Sequence, residues 1–325
     1  MRTTEPIMPT TDPAMIHRIT QGGAAFGNLY TPVTDEAVEA ALETSWQAGI
    51  RAFDTAPHYG VGLSEERVGR FLQRQDRGSY RLSTKIGRLL VDDPAAPDHA
   101  HAFFRTPHRR RIYDYSADGV ERSLAESLSR LGLDRVDSVL IHDPQDYLRA
   151  AVEEAAPRLG ELKQQGVINE VGLGCNYVEV AWEFVQRTEI DCLLLAGRFT
   201  LLDRRAQSLL HECARRGIRV LIAGVFNGGL LTGMDGRAYF NYREAPSQLV
   251  AAAEQMRSLC EQHGVSIRAA ALQFPFRHLA VDNVVIGAGA ATEVRDSLQE
   301  LHTEIPDALW HALDELTPPV EQLPE

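Results

Sequence analysis

The 325 residues contain no long apolar run, no clustered cysteines and no surplus of positive charge, and each absence removes a class of protein. No uninterrupted apolar stretch approaches about 18 residues, the length a membrane-crossing helix needs. The opening residues, MRTTEPIMPTTDPAMIH, lack the apolar core of about seven to fifteen residues found in a secretory signal. A cytoplasmic protein without a membrane partner is expected. Cysteine occurs only at Cys175, Cys192, Cys213 and Cys260, never as C-x-x-C, which argues against a disulfide scaffold and for reduced, mostly buried thiols. Lys plus Arg total 33 against 45 Asp plus Glu, a net charge of −12 that repels polyanions, so nucleic acid is not an expected partner. What remains is ordinary globular composition, 44% hydrophobic and 24% charged, in a chain long enough to bury a full core. That length admits two domains or one large α/β barrel.

The order of elements decides between them. After a Pro- and Thr-rich lead-in, expected as an N-terminal tail over 1–14, short β-rich runs recur at about 17–22, 50–54, 81–85, 136–142, 168–173, 191–195, 218–223 and 283–287. Helix-period segments lie between them. In TDEAVEAALETSWQAG, Thr34 is placed as N-cap, Asp35 and Glu36 fall in the first turn, and Gly49 follows the end. The stretch from Ser116 to Gly132 repeats the design, with Val120, Leu124, Leu128 and Leu131 as its stripe. Further helices fit about 64–74, 150–165, 177–187, 203–216, 247–263 and 291–300. Eight strands alternating with helices predict parallel pairing, right-handed crossovers and one (β/α)8 TIM barrel over 15–316, followed by a short tail over 317–325. A doubly wound sheet fits less well. GVGLSE at 60–65 and GLGCNY at 172–177 lack the third glycine of a dinucleotide fingerprint, and GAGAAT at 287–292 comes at the wrong end of the chain.

Barrel chemistry sits at the C-terminal ends of the strands. Three ionisable residues end three predicted strands there: Asp54 in IRAFD, Lys85 in RLSTK and His142 in VDSVLIH, with Tyr59 five residues past Asp54 in DTAPHYG. Each alone has an ordinary explanation, as a helix cap, a solvated charge or a structural imidazole. Together, in FDTAPHYG, LSTKIG and SVLIHDP, they resemble the catalytic tetrad of the aldo-keto reductase superfamily, and the resemblance runs from GGAAFGNLY at 22–30 to VVIGAGAATEVRDSL at 284–298. FGNLY, RLGLDRVDSVLIHDP and GRFTLLD look like the branch that holds L-fucose dehydrogenase, D-threo-aldose 1-dehydrogenase and pyridoxal 4-dehydrogenase.

The resemblance implies hydride exchange between a nicotinamide cofactor and a small sugar or aldehyde, with Asp54, Tyr59, Lys85 and His142 catalytic and no metal required. Tyrosine has a reference pKa near 10 and needs a neighbouring cation to act as acid or base near neutrality. Lys85 is expected to supply that cation, Asp54 to hold it, and neutral His142 to orient the substrate oxygen. The implied cofactor contacts are Gly23, Ala24 and Asp54 at the mouth, Asn176 on the carboxamide, Gly224, Phe226, Asn227, Gly228 and Leu230 after the seventh strand, and Gly287, Gly289, Glu293 and Ser297 after the eighth. Ala196 and Ala223 stand where the family commonly has glutamine and an aromatic. With Gly289 and Glu293 at positions where NADP-preferring members carry basic groups, NAD is expected over NADP, since a carboxylate repels a 2′-phosphate and accepts from a free ribose hydroxyl. An NAD-linked aldose 1-dehydrogenase follows, active as a monomer or small homo-oligomer. Pyridoxal oxidation and a broad aldehyde reductase are the alternatives, and a cofactor-binding regulatory subunit is disfavoured by the intact tetrad.

The segment from Gly87 to Tyr115 reads as one long functional loop. Its Phe103, Phe104, Tyr113 and Tyr115 either wall a pocket or anchor the loop to the rim. Arg109, Arg110 and Arg111 are expected as a solvated run, and His99 and His101 lack the third clustered ligand a metal site needs.

Overall fold

The computed structural model describes residues 13–232, 239–241 and 243–324. Most of the predicted N-terminal tail therefore lies outside the described residues. Eight parallel strands close into a barrel: β1 (Ile19–Gly22), β2 (Ala52–Asp54), β3 (Arg81–Ile86), β4 (Ser138–His142), β5 (Glu170–Cys175), β6 (Cys192–Ala196), β7 (Arg219–Ala223) and β8 (Val281–Ile286). Each pairs with the next, and β8 closes on β1 through Ile19 opposite Val284. All eight predicted strands are present.

The strand period of two sorts the side chains. Phe53, Leu82, Ile86, Val139, Ile141, Leu193 and Leu195 turn outward into the large core shared with the helices, whereas Leu140, Cys192, Leu194 and Val285 form a small separate cluster. The same alternation puts Asp54, Lys85 and His142 in phase with the inner set, at the ends of their strands. Position 174, beside them on β5, is glycine. A Cβ there would sit 3.3 Å from Lys85 Cε, so the bare backbone leaves room for the lysine stem.

Two helices begin at the caps the sequence offers. Thr34 accepts from the Ala37 N–H at 3.2 Å to start Asp35–Gln47, which buries Val38, Ala41, Leu42 and Ser45. Ser116 does the same for Ala117–Leu131, and Gly132 closes it in the left-handed region. The helix expected over 150–165 instead carries a π-helical turn at Ala151–Ala155 ahead of Ala156–Gln164. Pro157 has no N–H to give, so the turn before it widens. Two helices were absent from the pattern, Ile267–Gln273 and Asp307–Glu315, the first split from Ser247–Gln262 by Gly264 at φ +67. At the other end of the chain Arg205 donates to the Pro324 carbonyl at 2.9 Å.

The predicted long loop over 87–115 is a correction. It is built from two antiparallel pairs, Arg88–Asp92 with Arg109–Tyr113 and His99–Ala100 with Phe103–Phe104. The run of arginines concealed the alternation that pairs Leu89 with Ile112. Gly87, at φ +103, turns the chain from β3 into the first pair. A Cβ there would come within 2.2 Å of the Tyr115 ring, so only glycine allows this close approach.

Candidate active site

Lys85 anchors the site. It is 1% exposed, and its ammonium donates to Asp54 Oδ2 at 2.7 Å, to the Thr55 carbonyl at 3.0 Å and to Tyr59 Oη at 3.0 Å. Ser83 Oγ fills the second oxygen of Asp54 at 2.7 Å. Burial works against the ammonium, but the adjoining carboxylate and the bonds to Asp54 and Tyr59 outweigh it, so Lys85 stays above its ordinary value and charged. Its pKa exceeds that of the unfolded chain, so it remains an ammonium throughout the neutral and mildly alkaline range.

His142 completes the mouth, its ring centroid 5.8 Å from that of Tyr59. Burial, then the positive charges of Arg88 and Lys85 and the neighbouring His58 and Arg111, hold its imidazole well below the ordinary value. It is neutral at pH 7. The same combination of burial and cations keeps His58 neutral. Both histidines gain protons more readily unfolded than folded, so their contribution to stability is complete above about pH 6.5 and is lost as the pH falls below it. The urea midpoint is expected to drop between pH 7 and pH 5, and a flat profile over that interval would contradict the neutral assignment.

Tyr115 Oη donates to the His142 carbonyl at 2.6 Å and fixes the strand end. Asp143, at φ +41, pairs with Arg88 at 2.6 Å, and its Oδ2 lies 3.5 Å from His142 Nε2. Of the four loop aromatics, Phe103 is buried with its centroid 6.2 Å from Tyr59, whereas Phe104 is exposed and meets Asn28 through its backbone. Tyr113 and Tyr115 both stack on Tyr147 at 5.4 Å. The arginine run is a further correction. The strand alternates, so Arg109, on Glu66 and Asp92, and Arg111, on His58, share one face while Arg110 turns away to Asp93. His101 has its ring 5.5 Å from His58, and His99 meets Asp98. Among the described residues no three His, Cys, Asp or Glu side chains gather as a metal site would require.

The residues expected to hold a cofactor cluster at or just beyond the C-terminal ends of β1, β2, β5, β7 and β8. Gly23 N–H donates to the Asp54 carbonyl at 2.7 Å, and a Cβ at this position would meet Ser64 Oγ at 2.5 Å, so the chain passes close over Asp54 with Ala24 next to it. Ala196 and Ala223 are directly paired across β6 and β7. Nearby, Asn176 is held through its carbonyl by Arg198 Nε at 2.6 Å. The turn after β7 folds on itself, with Asn227 N–H bonded to the Gly224 carbonyl and Gly228 in the left-handed region. Phe226 lies under the Arg268 guanidinium, and Leu230 is buried. Asn227 Oδ1 is buried with no partner among the described residues, and a Cβ on Gly287 would meet nothing within 4 Å. An orphaned acceptor and an open backbone beyond two neighbouring strands, β7 and β8, fit a bound dinucleotide. Farther out, Glu293 Oε2 accepts from the Gly289 N–H at 2.7 Å, and Gly289 faces Val33 and Ala25. Ser297 is buried in the helix Ala291–Glu300.

The closed eight-stranded barrel, with a buried lysine between an aspartate and a tyrosine at its mouth, fits a class of nicotinamide-dependent barrel oxidoreductases. The chain belongs to the Aldo/keto reductase family, whose pattern matches residues 18–318. A D-threo-aldose 1-dehydrogenase from Pseudomonas sp. is 37% identical over 324 residues, covering 95% of this chain and 98% of the relative. A pyridoxal 4-dehydrogenase from Microbacterium luteolum is 35% identical over 313 residues, covering 90% and 91%. The holo form of aldo-keto reductase AKR11C1 from Bacillus halodurans shares the fold, with a TM-score of 0.75 over 93% of this chain and 92% of that chain at 22% identity.

Sequence reasoning missed His58, Arg88, Arg111 and Asp143. His58 is in the DTAPHYG motif and Asp143 directly follows His142, so adjacency was the available signal for both.

Proposed function

We propose that the protein is an NAD-preferring aldose 1-dehydrogenase that oxidises a sugar hemiacetal to its lactone, with Asp54, Tyr59, Lys85 and His142 as the catalytic set. The observation that carries this reading is the Lys85 ammonium seated between Asp54 and Tyr59 Oη. A nicotinamide bound over the strand ends would supply the hydride acceptor. Tyr59, as phenolate beside Lys85, takes the hydroxyl proton from the anomeric carbon's oxygen. Asp54 keeps the ammonium charged and in place. His142, being neutral, hydrogen-bonds the same oxygen and aims it at Tyr59. The likeness to D-threo-aldose 1-dehydrogenase over nearly the whole chain supports the sugar as donor.

Preference for NAD rests on Glu293. Its carboxylate, exposed and accepting from the Gly289 amide, stands in the sequence where NADP-preferring members of the family carry a basic group for the 2′-phosphate. Glu293→Arg should raise the NADP/NAD ratio of kcat/KM by at least about tenfold; an unchanged ratio would remove Glu293 from cofactor selection.

Pyridoxal is the second reading, favoured by the exposed Tyr113 ring stacked on Tyr147, a surface suited to a flat heteroaromatic. NADH absorbance with a panel of aldoses and pyridoxal, run with NAD and NADP in parallel, separates the two. Turnover of L-fucose or another aldose with NAD is expected, and turnover of pyridoxal alone would overturn the first reading.

A further inference from the structure

His58 stands beside the tetrad without belonging to it. Its ring centroid is 5.6 Å from that of His142, 6.3 Å from Tyr59 and 5.3 Å from Phe103. It therefore shares the mouth with the two groups that hold the reacting oxygen. Arg111 grips this one residue twice: Nε donates to His58 Nδ1 at 2.7 Å, and Nη2 donates to the His58 carbonyl at 3.0 Å. Among the described residues no carboxylate pairs with Arg111. Burial, and then the charge of Arg88, brings its guanidinium down to about 10, still charged at neutral pH.

A guanidinium has donors only, so His58 Nδ1 must be the acceptor. The imidazole is neutral, which leaves its single proton on Nε2. A carboxylate partner on Nδ1 would have fixed the opposite tautomer and left Nε2 an acceptor. The arginine makes it a donor instead. No protein group among the described residues accepts from that edge of the ring, and Phe103 packs edge to face against it, limiting how the ring can turn.

We propose that the Arg111–His58 pair selects substrate: His58 Nε2–H donates to an oxygen on the carbon next to the one that loses hydride, so that aldoses and other 2-hydroxy carbonyl compounds are preferred over analogues lacking that oxygen. The proposal rests on the reading of Tyr59 and His142 given above, because the place of the reacting oxygen is what brings its neighbour beside His58. A built donor left without an acceptor penalises the deoxy analogue, which makes the pair a discriminator.

The test compares two substrate pairs, L-fucose with 2-deoxy-L-fucose in oxidation and glycolaldehyde with acetaldehyde in reduction, and reads the ratio of kcat/KM within each pair. His58→Phe keeps a ring and removes both nitrogens, and should lower each ratio roughly tenfold, chiefly through KM of the hydroxylated member. His58→Gln restores an N–H near the Nε2 position and should recover most of the ratio, whereas Arg111→Met, which frees the tautomer, should lower it. These two variants keep the comparison readable should His58→Phe fail to fold. Long-range proton–nitrogen NMR on protein labelled with 15N-histidine should show the Nε2–H form of His58 in the wild type. Ratios unchanged in His58→Phe, or an Nδ1–H tautomer, would overturn the proposal. Discrimination between the two-carbon aldehydes without turnover of any sugar would defeat the aldose reading and leave the role of His58 standing.

Discussion

Tyr59→Phe should lower kcat about a thousandfold or more while leaving the dissociation constant for NAD within about threefold of wild type. The expectation follows from where the hydroxyl is. It accepts from the Lys85 ammonium at 3.0 Å, and the ring itself lies within packing distance of Phe103 and His142, which phenylalanine preserves. The substitution therefore removes the proton carrier and leaves the walls of the mouth. Turnover by absorbance and cofactor binding by fluorescence titration check the two halves. Full activity in the variant would remove Tyr59 from the chemistry, and loss of cofactor binding would show that the phenol serves cofactor binding instead.

Lys85→Met should be the most damaging substitution in the site, with a double signature. Turnover should fall by about three orders of magnitude, because the cation that favours the phenolate is gone. Stability should fall by about 3–5 kcal/mol as well, since Asp54 is left buried with its charge unpaired. Adding Asp54→Asn removes that charge, so the double variant should regain most of the stability and none of the activity. Urea unfolding and steady-state rates on the single and double variants separate the effects. A single variant of wild-type stability would contradict the buried pair, and a single variant with an unchanged pH–rate profile would contradict the role of the ammonium.

The barrel and the grouping of Asp54, Tyr59, Lys85 and His142 at its mouth were legible because both depend on local pattern. Each strand carries its own β-rich run, and the period of two that turns Phe53, Leu82 and Ile141 outward necessarily turns Asp54, Lys85 and His142 inward. Lys85 could have drawn more weight still. It is one of only two lysines in the chain, with Lys163, while arginine serves nearly everywhere else. The arrangement around His58 was illegible for the opposite reason. Arg111 meets it across 53 residues of sequence, through a hairpin whose alternation is hidden by three consecutive arginines, so the pairing exists only after Arg88–Asp92 and Arg109–Tyr113 have zipped together. Asp307–Glu315 escaped notice because its first turn follows Pro306 without a Ser, Thr, Asp or Asn cap, and the π turn before Pro157 has no counterpart in hydrophobic spacing.

The central claim is that hydride leaves the anomeric carbon of an aldose while Tyr59 takes the proton from its oxygen. Oxidation of L-fucose deuterated at C1, with unlabelled NAD, tests it in one measurement: mass spectrometry should find the deuterium in the reduced nicotinamide and the sugar as its lactone. Reduced nicotinamide free of deuterium, or no lactone formed with NAD, would contradict it.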